Sequence, residues 1–401
     1  MKRQAVQMRS EMYQELNRIL DFWKRETIDE EHGGFYGEIS SSMKIQSKAE
    51  KGLVLNARIL WTYAIAFRFF GQQSDLIMAE RAYTYLLEYF WDEEHGGLYW
   101  MVNYQGVPVN RRKQIYGQAF AIYAFSEYYR ATGKQEALNY AVKLFQLIED
   151  KSYDPINQGY YEACSEDWGP TDEYSLSNID LNEKKSMNTH LHILEAYTNL
   201  YRVWKSDELK VKFTELIEVT MKHIVNPATF HLHLFFDEEW HVKSDIISFG
   251  HDIEGSWLLV EAAEVLGDYE LTERIKEVAI QMAQAVYDKG LDTDGGLFNE
   301  LDDNGHLDAN KIWWPQAEAI VGFLNAYELT GKTYFFEAAQ HSWEFTDSYI
   351  CDKVNGEWHW QVSRDRIANV KFAKVNAWKC PYHNSRSCFE VMERLDRLEL
   401  Q

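Results

Sequence analysis

Six short segments built from glycine and aromatic residues recur along the chain, and nothing else in the sequence constrains the fold as tightly. They read DEEHGGFYGEI near 34, DEEHGGLYWMV near 97, DPINQGYYEAC near 160, ATFHLHLFFDEEW near 233, DTDGGLFNEL near 296 and DKVNGEWHWQV near 357. The spacing is about 63 residues, with one interval stretched to about 73. A period of this length marks a repeat architecture. Each segment joins turn-forming Asp, Asn or Gly to alternating aromatics, which predicts a short strand or hairpin.

Helical periodicity fills the intervals, with apolar residues at i, i+3, i+4 and i+7. One set precedes the turns: MAERAYTYLLEYFW, YAVKLFQLIEDKSY, FTELIEVTMKHIV and RIKEVAIQMAQAVYD. A second set follows them: LVLNARILWTYAIAFRFF, YGQAFAIYAFSEYYRATG, NTHLHILEAYTNLYRVW, HDIEGSWLLVEAAEVLG, WWPQAEAIVGFLNAYELTG and CFEVMERLDRL. Several of these end in Gly, the usual helix stop. The second set is apolar around most of its circumference, as buried helices are. The first is one-sided, as an outer layer is.

Six hairpin-plus-helix-pair units, without a linker or an atypical capping repeat, predict a closed ring rather than an open solenoid. The expected fold is all-α, an (α/α)6 barrel of six helix-pair repeats with short β-hairpins between them, forming one domain over residues 1–401. An open helical array is the alternative, and it would leave the chain ends far apart.

In each repeat the residues hardest to explain by packing sit near the start of the inner helix. These are Arg58, then Tyr116, then Asn188, His190 and His192, then His251, Glu254 and Trp257, then Trp313, Trp314 and Glu318. The sixth repeat supplies AWKCPYHNSRS, with Trp378, His383 and Arg386, ahead of the last helical run. Inner helices of a ring run the same way, so all six starts converge on one mouth. Helix N-termini offer unpaired N–H groups and a positive dipole end, suited to negative charge on a bound oxygen. Trp faces suit the C–H faces of a sugar.

Duller roles compete with these. A lone His at a helix start is ordinarily a cap or a satisfied core group. Positions i and i+2 of a helix point to nearly opposite sides, so at most one of His190 and His192 faces the cavity. One of Trp313 and Trp314 is expected to face the ligand, the other the core. The HLH of residues 231–233 lacks a third ligand, and no metal site is expected there. His32, His95, His223, His241, His306, His341 and His359 receive no role. Arg58 is harder to set aside, because a buried guanidinium needs acceptors.

A net charge of −22 argues against nucleic acid or an anionic membrane as partner, since both call for a basic face. The N-terminal MKRQAVQMRSEMYQEL lacks the apolar stretch of a signal peptide. No apolar run was expected to approach the roughly 18 residues of a membrane span. Cys164, Cys351, Cys380 and Cys388 show no metal-knuckle spacing, which predicts reduced thiols and a cytoplasmic protein.

NARILWTYA (56–64), NTHLHILEAY (188–197), GHDIEGSWLL (250–259), WWPQAEAI (313–320) and WKCPYHNSRS (378–387) together resemble the N-acylglucosamine 2-epimerase superfamily, most closely its cellobiose 2-epimerases. The resemblance covers nearly the whole chain. It implies an (α/α)6 barrel that epimerises C2 of the reducing-end glucose of β-1,4-linked disaccharides, cellobiose and lactose among them, with no cofactor and no metal. It implies His251 and His383 as the acid/base pair. Arg58, Tyr116, Asn188, His192 and Glu254 would hold and polarise the opened sugar. Trp314 and Trp378 would stack on the rings, and Asp180 would reach the non-reducing unit. The partner would be a small-molecule disaccharide, and the protein a monomer or weak homodimer.

The chemistry calls for such residues. Opening the pyranose acidifies the C2 proton, and epimerisation removes it from one face and returns one on the other. An imidazole, with an ordinary pKa of about 6.5, both takes and gives protons near neutrality. The enediolate needs fixed donors at O1, a role for Arg58. Alternatives are an N-acylglucosamine 2-epimerase, a mannose-type aldose–ketose isomerase, an inverting glycoside hydrolase drawing on Glu254, Glu318 or Asp180, and a carbohydrate-binding protein with a dead site.

Overall fold

The computed structural model describes residues 2–178 and 180–399. The one-sided helices are α1 (Lys2–Glu26), α3 (Gln73–Tyr85), α5 (Gln135–Lys151), α7 (Asp207–Val219), α9 (Tyr269–Lys289) and α11 (Thr333–Phe345). They wrap an inner ring of α2 (Leu53–Phe70), α4 (Ile115–Thr132), α6 (Met187–Val203), α8 (Phe249–Leu266), α10 (Trp313–Thr330) and α12 (Tyr382–Glu399). Each inner helix packs on the next, and α12 packs on α2. The ring therefore closes as an (α/α)6 barrel. Helix α1 covers α12, and Arg9 Nη2 donates to Asp396 Oδ2 at 2.9 Å.

The inner helices are buried on nearly every side. Residues 53–66 of α2 are buried without a break. By length and composition α2 is apolar enough to cross a membrane, which corrects the expectation that no run comes close. Its apolarity serves the ring instead, since 78% of that stretch is buried in protein. Close approach matters between neighbours: a Cβ on Gly322 of α10 would lie 2.5 Å from Ile253 Cγ1 of α8.

The six turn segments form one repeated device. Bridges Ile28↔Phe35, Trp91↔Leu98, Tyr153↔Tyr160, Val225↔Leu232, Leu291↔Leu297 and Cys351↔Trp358 each close one turn. In the second turn Asp92 Oδ1 accepts the N–H groups of Glu94 and His95. Its Oδ2 accepts from Lys113, two residues ahead of α4, at 2.6 Å. The same lysine staple joins Lys51 to Asp29, Lys185 to Asp154 and Lys311 to Asp292 at 2.7, 2.7 and 2.9 Å. In the fourth repeat Asn226 replaces the Asp and Ile247 the Lys.

Short antiparallel pairings then stitch each repeat to the next. Lys51 pairs with Val102, Lys113 with Cys164, Lys185 with Phe236, Ile247 with Leu301 and Lys311 with Val362. The bridge Ile39↔Val375 completes the circle. This stitched rim surrounds the N-terminal ends of the inner helices.

One boundary differs from the sequence reading. The last inner helix opens at Tyr382, not at Cys388. His383 and Arg386 thus belong to its first two turns, because no proline or glycine follows Pro381 to delay it.

Candidate active site

Register places the unusual residues in layers. The second residues of the inner helices are Val54, Tyr116, Asn188, Gly250, Trp314 and His383. The sixth residues of the first five are Arg58, Phe120, His192, Glu254 and Glu318, and Arg386 is the fifth of α12. The ninth residues begin with Trp61, Tyr123, Glu195 and Trp257. Steps of four and three keep one face of a helix, so each layer points at the barrel axis.

In the upper layer His251 and His383 both pack on Trp314, with ring centroids 4.6 and 5.6 Å from it. A Cβ on Gly250 would lie 2.5 Å from the Trp314 ring, so this glycine makes room for the indole. Nδ1 of His251 meets the Ser248 hydroxyl at 2.8 Å. Nδ1 of His383 donates to Glu318 Oε1 at 2.7 Å. Nδ1 of His192, one layer down, donates to Glu195 Oε2 at 3.0 Å. All three rings are thus tethered through Nδ1, and among the described residues Nε2 of each has no hydrogen-bond partner. Burial, with repulsion from Arg58 and Arg386, holds His383 well below the usual imidazole range. Burial lowers His251 as well.

Two arginines occupy the layer below, in opposite situations. Arg386 is buried against three carboxylates, pairing with Glu195 and Glu254 and with Glu318 at 2.7 Å. Tyr382 donates its hydroxyl to Glu195 in the same cluster. Arg58 has no carboxylate partner among the described residues. It donates to the Tyr116 hydroxyl at 2.8 Å, and lies over the Phe120 and Tyr382 rings at 4.2 and 4.7 Å. Burial alone favours the neutral form of a charged group, so a guanidinium caged by rings and a hydroxyl is poised for an incoming negative oxygen.

The carboxylates differ too. Burial raises Glu254, and the neighbouring Glu318 raises it further, to about 7. Among the described residues its Oε2 is buried without a partner. Burial also pushes Glu195 up, but Arg386, His192 and Tyr382 outweigh it and hold the carboxyl at about 2. Glu254, Glu318 and His383 lie close enough together to hold a metal ion. Arg386 already bridges the two carboxylates, and His383 is bound to one of them, so these donors are engaged within the protein.

Two cavities open on this end. One, of about 800 Å³, is lined by Trp378, Trp100, Arg112 and Asn182 among others. The other, of about 230 Å³, is lined by His251, Asn188, Asp180 and Ser248. Ser175 and Leu176 border both, held over the mouth by a bond from Gln114 Nε2 to the Tyr174 carbonyl at 2.8 Å.

The structure brings Arg58, Tyr116, Asn188, His192, His251, Trp314, Trp378 and His383 together around the mouth, with Asp180 at its rim. Glu318, Trp257 and Trp313 each contact neighbouring side chains within the protein. Glu318 tethers His383 and accepts the Trp257 indole N–H at 3.1 Å. Trp257 belongs to the ninth-residue layer, and Trp313 packs on Trp360 at 4.4 Å. All three side chains are buried, as Arg58, Tyr116 and His192 are. His190 turns away from the axis, donating to the Ser186 carbonyl and accepting from the Tyr160 N–H. His231 of the HLH donates to Asp252 at 2.7 Å. Sequence reasoning passed over Glu195, Tyr382 and the central role of Arg386.

Comparison with known proteins finds relatives along nearly the whole chain. Residues 34–386 match the family model for N-acylglucosamine 2-epimerase. A cellobiose 2-epimerase of Bacteroides fragilis is 47% identical over 390 residues, spanning 96% of this chain and 98% of that protein. The structure of a sugar epimerase from a ruminal bacterium superposes with a TM-score of 0.93 at 40% identity, covering 96% of this chain and 99% of its own. That of the cellobiose 2-epimerase from Bacillus thermoamylovorans B4167 does so with a TM-score of 0.92 at 39% identity, over 96% and 99% of the two chains. With its barrel, its layered site and these full-length relatives, the chain belongs to the N-acylglucosamine 2-epimerase family.

Proposed function

We propose that this protein is a cellobiose 2-epimerase, converting the reducing-end glucose of a β-1,4-linked disaccharide to mannose through an enediolate. The observation that carries the reading is the pair of imidazoles on Trp314, each anchored at Nδ1 and each with Nε2 free. One imidazole takes the C2 proton from one face of the opened sugar, and the other returns a proton on the opposite face. Arg58 and the Tyr116 hydroxyl hold the charge that gathers on O1. Glu318 keeps His383 in the tautomer with its lone pair on Nε2. The second sugar lies in the larger cavity against Trp378, and Asp180 marks the rim between the two units.

Relatives at 37–47% identity carry the name cellobiose 2-epimerase, which supports this substrate class over N-acylglucosamine or mannose. A hydrolase needs an open pair of carboxylates around a water. Glu254 and Glu318 are instead locked on Arg386.

The test is incubation with cellobiose in deuterated water. Glucosyl-mannose carrying deuterium at C2 is the expected product. Free glucose would identify a hydrolase, and an unlabelled epimer would exclude proton transfer with solvent exchange.

A further inference from the structure

We propose that Arg112, in the wall of the larger cavity, is an anion site that selects β-1,4-linked disaccharides whose non-reducing unit carries a carboxylate, as a glucuronosyl unit does. The assignment rests on the epimerase reading above and concerns the second sugar alone. Arg112 stands at the end of a continuous wall. The Tyr116 ring meets that of Trp378 at 5.8 Å, and Trp378 meets Trp100 edge to face at 5.9 Å. The Arg112 guanidinium lies 5.8 Å from the Trp100 ring. A disaccharide with its reducing end beside Tyr116 and its second ring on Trp378 therefore extends toward Arg112.

The guanidinium is poorly matched within the protein. Its neighbours in sequence are satisfied: Arg111 donates to Glu166 at 2.7 Å and Lys113 to Asp92 at 2.6 Å. The Arg112 side chain is 17% exposed, and its Nε is buried without a partner among the described residues. Among those residues only Glu173 comes within ion-pair range, with Nη1 and Oε2 4.0 Å apart, beyond hydrogen-bond reach. Glu173 is itself 81% exposed, so water screens what it offers. Burial, only partly offset by Glu173, pulls Arg112 below the usual arginine range. A charge in this position gains from any anion that reaches it.

A carboxylate suits it better than a hydroxyl. The planar fork of an arginine takes both oxygens of a carboxylate at once, whereas a sugar hydroxyl offers one oxygen and no charge. In a glucuronosyl unit the carboxylate replaces the hydroxymethyl group at C6, outside the ring that rests on Trp378. The net charge of −22 repels an anion at long range. Salt screens that repulsion over about 10 Å, and contact with one guanidinium lies well inside that distance.

The experiment compares cellobiose with glucuronosyl-β-1,4-glucose, which differ only at C6 of the non-reducing unit. In wild type, kcat/KM for epimerisation is expected to favour the uronate by about tenfold or more, through KM, the scale of one charge-assisted pair. The uncharged methyl ester of the uronate is expected to fall back to the level of cellobiose. Arg112→Gln is expected to abolish the preference and Arg112→Lys to keep part of it. Equal values for uronate and cellobiose in wild type overturn the assignment, as does a preference that survives in Arg112→Gln. If Arg112→Gln fails to fold, the wild-type comparison decides the matter, and an ester used as well as the uronate overturns the assignment. Calorimetric titration with both sugars reads binding apart from turnover. A protein that binds the uronate more tightly through Arg112, yet epimerises neither sugar, would remove the epimerase reading and leave the anion site standing.

Discussion

His251 and His383 lean on the same indole, that of Trp314, from two different helices of the ring. The His251 ring does little for the fold. His251 is half-buried and held by one bond to Ser248, a contact worth about 1 kcal/mol. Its removal should therefore separate activity from stability. His251→Ala is expected to lower kcat on cellobiose by a factor of at least about 100, the scale of a lost acid/base group. The thermal midpoint should stay within a few degrees of wild type, and paired assays of rate and unfolding check both halves.

Much of this was legible in the sequence. The turn period and the two classes of helix sufficed for the barrel, because a ring of repeats writes the same burial pattern six times. The mouth was legible because polar and aromatic residues at the starts of apolar helices have no packing reason to be there. What escaped was depth. Glu195 lies three residues after His192 and resembles any helical glutamate, yet it falls in the register of Trp61, Tyr123 and Trp257. A carboxylate in an aromatic layer demands a cation, and Arg386 was in view. The same register places Trp257 two turns along its helix from Gly250, where its indole N–H meets Glu318. The lysine staples went unnoticed because Lys and Asp some 20 to 30 residues apart carry no local signal.

The buried cluster around Arg386 should be intolerant of losing its cation. Three carboxylates face one guanidinium, with Glu254 already raised by burial and by Glu318. Breaking a buried pair by removing one partner costs roughly 3–5 kcal/mol. Arg386→Met is expected to lose at least that much in urea unfolding. Adding Glu254→Gln should recover part of the loss, since one of the stranded carboxylates is then gone. Equal stability of the single and double variants would mean that Glu254 does not feel Arg386.

The staples make a similar forecast with an internal control. Lys113 and Asp92 are both buried, so either Lys113→Ile or Asp92→Asn alone strands a charge. Each single change is expected to cost roughly 3–5 kcal/mol. The fourth repeat carries Ile247 and Asn226 at these places and still forms its turn bridge, Val225↔Leu232. The double variant should therefore be more stable than either single one. A urea-unfolding cycle over the four proteins measures the coupling, and strict additivity would argue against a staple.

His190 gives the fold a defined weakness toward acid. Its Nδ1 must donate, because it faces the Ser186 carbonyl at 2.6 Å, and its Nε2 must accept, because it faces the Tyr160 N–H at 2.9 Å. A second ring proton would point N–H at N–H. Burial, the main cause, pushes this imidazole down to about 3, whereas in the unfolded chain it titrates near 6.5. Stability from this group is complete above about 6.5, where neither state binds the proton. As pH falls below that value the unfolded chain takes up a proton that the native state refuses, and stability declines toward pH 3. The slope approaches about 1.4 kcal/mol per pH unit for one such proton. Urea unfolding at pH 7, 6 and 5 should show the decline. His190→Gln, although less stable at pH 7, is expected to show a slope shallower by about one proton, and an unchanged slope would mean that His190 is charged in the native state.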